Sequence, residues 1–304
     1  MRRLVFLILV LLVPACTVNQ RRHGVGSSEL SPEAAATESG RLLCDLTKPQ
    51  CEQAWKLYAI LDVANRPVLS SHQGALRVAS ADAAGLFYFT GAPLFEPRKE
   101  PLLAWRWRVS ALLEGTSPLA PDFDNFPARL LVGFDCGWEG ADALALQWKK
   151  KVEDATGMTP PPRAICYTFG GALPAREAVD ALFGQGRIVV INLRGRDAKA
   201  DRWYSEIRDV AGDYRAVFGE DAPAVTALAI ASDTHRVHAT VKADFADFRV
   251  FDLAAYPRFA QALGQRPERE ASTLALWLAT GCVVLATLLA GAWLWRTQTQ
   301  GQSS

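Results

Sequence analysis

Two short polar segments carry the residue types that bind metal ions. The first holds three aspartates, Asp122, Asp124 and Asp135, and carboxylate oxygens suit calcium, which takes six to eight oxygen ligands. The segment lacks the glycine and the terminal glutamate of a calcium loop. A solvated turn is therefore favoured, and we expect neither a bound metal nor a cofactor.

The second segment combines Asp233 with His235 and His238. Two imidazoles and a carboxylate are a ligand set for a transition metal. In an extended chain, however, these two histidines point to opposite faces. A turn with exposed histidines is the favoured interpretation, so no metal site is assigned here.

Catalytic motifs are missing from the sequence. It contains neither the G-x-S-x-G turn that presents a nucleophilic serine nor the H-E-x-x-H helix of zinc proteases. A glycoside hydrolase needs two carboxylates whose separation is set by the fold and not by their spacing in sequence, so that enzyme class stays open as an alternative. We expect a non-catalytic protein.

Aromatic side chains are the third group that can act on a ligand, because a ring face can stack on a sugar. Most of them are expected in the core. In the run WRWRV, the tryptophans share one face with Val109, while Arg106 and Arg108 share the other. Trp138 lies in the loop GWEG, whose context favours exposure. Trp138 and Tyr204 are therefore the candidate ligand-binding residues.

Four cysteines outside the terminal segments are candidates for disulfides. Cys44 and Cys51 enclose a short polar loop that could close as a local bridge, and Cys136 and Cys166 could join neighbouring strands. Four cysteines allow three pairings, and four reduced thiols are the alternative. No Cys-x-x-Cys spacing or nearby histidine indicates zinc binding or redox chemistry.

Strands are the elements that must position most of these residues. Short apolar and aromatic runs recur with turn residues between them, which is typical of an all-β sandwich or barrel. The predicted strands are residues 55–63, 75–81, 86–90, 102–109, 128–136, 143–149, 163–169, 187–193, 203–207, 225–232 and 239–251. The sequence therefore predicts an all-β domain.

One or two short helices are expected to interrupt the strands. Residues 174–183 are one candidate, and residues 208–219 carry apolar side chains at helical spacing. The core-facing residues of the second helix would be Val210, Tyr214 and Phe218. Asp209 and Asp213 would lie on the solvent-exposed side of the helix. Asp213→Asn should therefore lower the free energy of unfolding by about 1 kcal/mol or less. The candidate basic partners of these aspartates are Arg106, Arg108 and Arg208.

The N-terminal segment has the features of an export signal. Residues 1–15 place Arg2 and Arg3 before a short apolar run. The run ends in LVPAC, which resembles a bacterial lipobox, so Cys16 would become the lipidated first residue. A signal cleaved beside Ala15 without lipidation and an uncleaved anchor are the alternatives. Residues 17–41 are rich in Ser, Glu, Ala and Gly and have almost no large apolar side chain, so residues 16–43 are predicted to form a flexible tether.

The C-terminal segment predicts a membrane anchor. Residues 274–295 carry no charge and are long enough to cross a bilayer as a helix. Residues 44–253 would then form the domain in the periplasm, residues 254–273 a linker and residues 296–304 a cytoplasmic tail. A cleaved sorting tail of the PEP type is the alternative. The sequence thus predicts a protein whose partners include the membrane.

The charge balance argues against a nucleic-acid partner. Lys and Arg number 33 against 32 Asp and Glu, which leaves a net charge of +1. A protein that binds nucleic acid usually shows a basic excess. We therefore expect no nucleic-acid binding.

A series of motifs in fixed order resembles the bacterial domain of unknown function 3047 family. The series is LLAWRWRV, DFDNFPARLLVGF, ALALQW, RIVVINL, RWYSEIRDVAGDYRAVFG, TALAIASDT and ADFADFRV, over residues 102–251. Many members carry paired aspartates where this chain has Asp124 and Asn125, and a polar turn after SDT where it has residues 235–238. The resemblance implies an exported β-jelly-roll of the galactose-binding type.

The resemblance implies fold and compartment more than function, and the function hypothesis is motivated by the jelly-roll resemblance. An envelope-anchored β-sandwich module without catalytic motifs is expected to bind a glycan or another envelope ligand. The alternative is a scaffold or assembly partner of another envelope protein.

Overall fold

The structure is a computed structural model that describes residues 22–24, 40–59, 63–118, 124–171, 173–175, 177–181 and 186–252. The chain divides into the units Met1–Pro257 and Arg258–Ser304, and all described residues lie in the first. Cys16, the predicted signal, the helix at 274–295 and the tail lie outside the described residues. Within the ranges just given, no helix has the length and apolar character needed to span a membrane.

The described residues form fourteen strands and three α-helices. The strands are β1 (Arg22–Gly24), β2 (Arg41–Leu42), β3 (Lys56–Ala59), β4 (Val68–His72), β5 (Ala75–Ala81), β6 (Gly85–Phe95), β7 (Leu102–Val109), β8 (Ala128–Phe134), β9 (Arg163–Phe169), β10 (Glu177–Asp180), β11 (Ile188–Arg194), β12 (Tyr204–Asp209), β13 (Val225–Ala231) and β14 (Thr240–Phe251). The helices are α1 (Pro49–Ala54), α2 (Ala143–Thr156) and α3 (Val210–Phe218).

Two sheets enclose the core. Eight strands form the first sheet in the order β1, β10, β11, β9, β8, β13, β6, β3. The second sheet has the order β12, β7, β14, β5, β4, and β2 pairs with β14 as its sixth strand. Neighbouring strands are antiparallel except β9 and β11, which are parallel. The predicted β-sandwich with few helices is confirmed.

Alternation along β7 shows how the sequence places side chains in the core. Trp105 and Trp107 are at most 1% exposed, and the Trp107 ring lies 5.4 Å from Phe169 of the other sheet in an edge-to-face contact. Arg106 and Arg108 lie on the opposite face of the same strand. The predicted orientation of WRWRV is confirmed.

Residues 143–149, predicted as a strand, are the start of helix α2. The Asp142 side chain accepts a hydrogen bond from Ala145 N at 2.8 Å, which caps the helix. Gly157 ends it in the left-handed conformation, at φ 71°. The alternating ALAL pattern suggested a strand, but the capping residues at both ends favour a helix.

Residues 174–183, predicted as a helix, include strand β10. The backbone of β10 pairs with β11, and Ala178 and Val179 are fully buried. This pairing joins residues that are distant in sequence, so local helical propensity does not decide the conformation.

The helix predicted at residues 208–219 is confirmed as α3. Asp209 caps its first turn by accepting from Gly212 N at 2.9 Å, and Gly219 ends it at φ 80°. Val210 and Tyr214 are fully buried as predicted, whereas Phe218 is only partly buried.

The predicted exposure of Asp209 and Asp213 is wrong. They are 6% and 3% exposed. Arg208 is the partner of Asp213, but Arg106 and Arg108 lie on the outer face of the second sheet and pair with other carboxylates. Because Arg208 belongs to β12, directly before α3, the chain reversal at the helix start turns Asp213 back toward it.

Two short strands fall within residues 16–43, which were predicted to form a tether. β1 pairs with β10 at the edge of the first sheet, and β2 pairs with the end of β14. Backbone hydrogen bonds to available strand positions order both pieces, and Leu43, directly after β2, packs against the core.

The structure contains one of the two proposed disulfides. Cys44 and Cys51 are bonded, with Cα atoms 5.5 Å apart. Cys136 and Cys166 are free thiols, so the predicted bridge between them is not formed. Cys166 lies opposite Leu131 in the strand register. Cys136 follows Leu131 by five residues, which is about 16 Å along an extended chain. A disulfide needs Cα atoms within about 7 Å.

Candidate functional site

A cavity of about 600 Å³ lies on the outer face of the first sheet. On β8, Leu130 and Val132 point into the core, so Leu131 and Gly133 point to the opposite side, where they line the cavity. Neighbouring strands contribute the rest of the floor, with Leu86, Tyr88, Ala164, Ile188, Ala227 and Ala229.

Small residues on adjacent strands create the space. Gly133 lies opposite Ala227 on one side and Ala164 on the other, and Ala229 lies opposite Leu131 and Tyr88. A Cβ atom at Gly133 would overlap the ring of Pro161. Glycine is therefore required for the proline segment to approach the sheet.

Helix α2 and the segment after it form the opposite wall. Trp148, Val152 and Thr156 line the cavity, and their spacing of four residues places them on one face of the helix. Leu144 is 58% exposed and does not line the cavity. After Gly157 the chain continues through Met158 to Pro162, which complete this wall.

Four aromatic side chains surround the space: Tyr58, Tyr88, Trp138 and Trp148. The two tryptophan rings lie 6.2 Å apart at an angle of 41°. Nε1 of Trp138 is buried and has no hydrogen-bond partner in the described part of the chain. A tyrosine phenol is protonated at neutral pH, and burial raises the pKa of both Tyr58 and Tyr88 further, so both phenols can donate hydrogen bonds.

Few charged groups face the cavity. Asp135 is the one carboxylate among the described lining residues, beside four threonines: Thr90, Thr156, Thr159 and Thr226. Thr156 and Thr159 already donate to Val152 O at 2.7 Å and to Glu153 at 2.6 Å. The arrangement suits an uncharged ligand with apolar ring faces and a few hydroxyl groups.

Cations lie near one aromatic wall. The Arg187 guanidinium carbon is 5.4 Å from the centre of the Trp138 ring, and Lys149 Nζ is 6.0 Å from it. Such contacts fix the ring through cation–π attraction. The Trp138 loop is therefore held in position beside α2.

The structure does not bring the two predicted ligand-binding residues together. Trp138 lies in the cavity wall, but Tyr204 belongs to β12 of the other sheet. Its ring packs 5.3 Å from Phe169, and its hydroxyl accepts from Lys199 N at 2.8 Å. Tyr204 therefore packs against the core and is not part of the cavity.

Two cavity aromatics, Tyr58 and Tyr88, were not among the aromatic residues considered for sugar stacking. The run LFYFT contains a signal for one of them, because Tyr88 alternates with Phe87 and Phe89, which face the core. Trp148 was considered for sugar stacking but was not chosen as a candidate ligand-binding residue, and its segment was assigned to a strand instead of helix α2.

The two polar segments considered for metal binding are held by separate contacts. Nδ1 of His235 lies 2.9 Å from Asp233, and Nδ1 of His238 lies 2.9 Å from Asp82. Asp124 pairs with Arg129 at 2.9 Å, and Asp122 lies outside the described residues. Where the structure describes the chain, no three His, Cys, Asp or Glu side chains form a metal-binding group.

Several solved structures are similar to this chain. The xyloglucanase domain of NopAA, a type three effector from Sinorhizobium fredii, has a TM-score of 0.35 and 9% identity over 66% of this chain and 99% of that chain. The family 11 carbohydrate-binding module of the Clostridium thermocellum cellulase Lic26A-Cel5E has a TM-score of 0.33 and 7% identity, over 71% and 96%. A cellulase derived from Rhodothermus marinus Cel12A has a TM-score of 0.36 and 10% identity, over 65% and 95%. At these TM-scores, the similarities carry no information about the ligand of this chain.

Sequence comparison gives a family but no characterised relative. No curated protein matches the chain. The family described as "Protein of unknown function (DUF3047)" matches residues 58–249.

Proposed function

Because the chain belongs to this family of unknown function, DUF3047, we propose its function from the cavity: it is a non-catalytic module that binds a neutral glycan. The observation that carries the proposal is the ring of four aromatic side chains around a space of about 600 Å³. A volume of roughly 300–1,000 Å³ is typical of sites for small ligands.

The chemistry of the lining supports a sugar as the ligand. A sugar ring presents C–H groups on its faces, which pack on aromatic rings, and hydroxyl groups at its edges, which need hydrogen-bond partners. Trp138 and Trp148 supply ring surface on one wall, and Tyr58 and Tyr88 supply it on the sheet. Thr90 and Thr226 also line the cavity, and their hydroxyl groups can form hydrogen bonds with hydroxyl groups of the ligand.

We propose binding without hydrolysis because of the number of carboxylates in the cavity lining. Glycosidases generally place two carboxyl groups about 5–9.5 Å apart across the scissile bond. Of the described residues that line the cavity, Asp135 alone has a carboxylate. This group can accept a hydrogen bond from a sugar hydroxyl, and the described lining offers no second carboxylate for acid–base catalysis.

The proposed cellular setting follows from the terminal segments. A lipidated Cys16 and a membrane helix at residues 274–295 would hold the module on the periplasmic side of a membrane. We propose that the module retains a glycan of the cell envelope there.

Trp148→Ala is expected to weaken binding of a neutral oligosaccharide by about tenfold or more, because it removes one aromatic wall of the cavity. The measurement is a glycan array with the full chain, followed by titration of the strongest neutral ligand. Leu144→Ala is the matched control, since Leu144 lies on the same helix but is exposed outside the cavity. Equal affinity of the two variants would refute the proposed site.

A further inference from the structure

The outer face of the second sheet carries a group of cations on neighbouring strands. Arg77 on β5, Lys242 on β14, and Arg106 and Arg108 on β7 all lie on this face, since the side chains that alternate with them are in the core. Trp203, directly before β12, lies beside the arginines. We call these five residues the cationic face.

A buried carboxylate holds two of the arginines in place. Asp244 on β14 lies directly opposite both Arg77 and Arg108 in the register. It accepts hydrogen bonds from Arg77 at 2.7 and 2.9 Å and from Arg108 at 2.7 Å. Burial by itself would raise the pKa of Asp244, but these hydrogen bonds lower it overall. Asp244 therefore stays ionised and fixes both guanidinium groups.

Arg106 is fixed by different contacts. Its Nε donates to Asp247 at 2.5 Å, and Asp247 adopts a left-handed conformation, at φ 57°, which is uncommon for a residue other than glycine. The guanidinium carbons of Arg106 and Arg108 lie 5.1 and 4.8 Å from the centre of the Trp203 ring. One aromatic ring thus orders both arginines.

The cationic face has excess positive charge, and some of its arginine N–H groups have no acceptor among the described residues. Its four cations exceed the two carboxylates that contact them, Asp244 and Asp247, by two positive charges. The hydrogen bonds of Arg106 and Arg108 to these carboxylates use Nε of each, and no described residue accepts from their terminal nitrogens. The side chains of Arg106 and Arg108 are 40% and 24% exposed, so solvent and ligands can reach them.

We propose that the cationic face is a second binding site, which takes a polysaccharide that bears carboxylate groups. The planar guanidinium forms paired hydrogen bonds with a carboxylate, and ordered arginines on neighbouring strands suit an extended, regularly charged chain. Binding of a peripheral protein to a lipid surface combines attraction to anionic lipids with apolar side chains that insert into the surface. Trp203 is the one large apolar side chain of this group, so a polysaccharide fits better. The site is independent of the cavity.

Binding of the full chain to immobilised polygalacturonate, with neutral dextran as the reference surface, tests this site. Arg106→Gln together with Arg108→Gln is expected to weaken binding at least about tenfold, and wild-type binding should weaken as NaCl rises toward 0.5 M because salt screens exposed charges. The matched control is Arg98→Gln with Lys150→Gln, which removes the same charge from two side chains that are 77% and 74% exposed elsewhere. Its affinity should stay within about twofold of the wild type.

A second variant tests whether lost binding comes from the arginine side chains themselves and not from a general loss of folding. Arg106→Lys with Arg108→Lys keeps the charge but removes the planar fork, and binding should fall by about threefold or more. Absence of binding to polygalacturonate, or equal losses in the two glutamine variants, would overturn the proposal. So would a difference between wild type and the Arg106→Gln/Arg108→Gln variant that is found on anionic phospholipid vesicles and not on polygalacturonate. Trp148→Ala should leave this binding unchanged.

Discussion

Replacing Asp213 with alanine is expected to lower the free energy of unfolding by about 3–5 kcal/mol. Asp213 accepts hydrogen bonds from Arg208 at 2.9 and 2.5 Å and from the Tyr167 hydroxyl at 2.8 Å. The side chains of Arg208 and Asp213 are 5% and 4% exposed. Removing the carboxylate leaves the positive charge of Arg208 buried without a partner, which is the origin of the large cost.

Urea unfolding of the variant measures this effect, and an exposed ion pair between this helix and the segment that follows it provides the control. Asp221 pairs with Arg215, and their side chains are 56% and 63% exposed. Asp221→Ala should therefore cost about 1 kcal/mol or less. A loss for Asp213→Ala as small as that of the control would show that the pair is not buried in solution.

Replacing Trp107 with alanine is expected to cost a similar amount, about 3–5 kcal/mol, because it empties the centre of the sandwich. The ring is fully buried and lies 5.5 Å from Trp105 and 5.4 Å from Phe169. Its Nε1 also donates to Glu206 at 2.8 Å, the carboxylate that Arg194 holds at 2.6 Å. The variant loses both the packing and one donor to a buried carboxylate.

Trp107→Phe separates the two contributions, since it keeps an aromatic ring but removes the donor. It should lose less than the alanine variant in the same urea unfolding measurement. Leu144→Ala, at an exposed site, should stay within about 0.5 kcal/mol of the wild type. A Trp107→Ala protein with wild-type stability would contradict the assignment of this ring to the core.

Local patterns predicted most strands of the sandwich, although β4 was not predicted. The strands at residues 75–81, 102–109 and 163–169 have the predicted bounds, because alternation places one face of each in the core. Helix α2 was misassigned because its ALAL segment mimics that alternation. Strand β10 was misassigned because its conformation depends on pairing with β11, which local sequence does not encode.

The site was predicted in part. Trp138 was recognised by its loop, and the structure places it in the cavity wall, but Tyr204 faces the core. The cavity itself depends on Gly133, Ala164, Ala227 and Ala229 lying side by side, and this follows from the order of strands β9, β8 and β13. That order comes from long-range pairing and has no local signal. The burial of Asp213 likewise depends on how β12 leads into α3.

The most direct test of glycan binding in the cavity is a calorimetric titration of the best neutral oligosaccharide into wild type and Ala229→Phe. Ala229 lies on the cavity floor opposite Leu131 and Tyr88, so a phenylalanine ring there fills the space without disturbing the core between the sheets. The account predicts that affinity falls by about tenfold or more in Ala229→Phe while the melting temperature stays close to that of the wild type. Unchanged affinity in a folded Ala229→Phe protein would contradict the account.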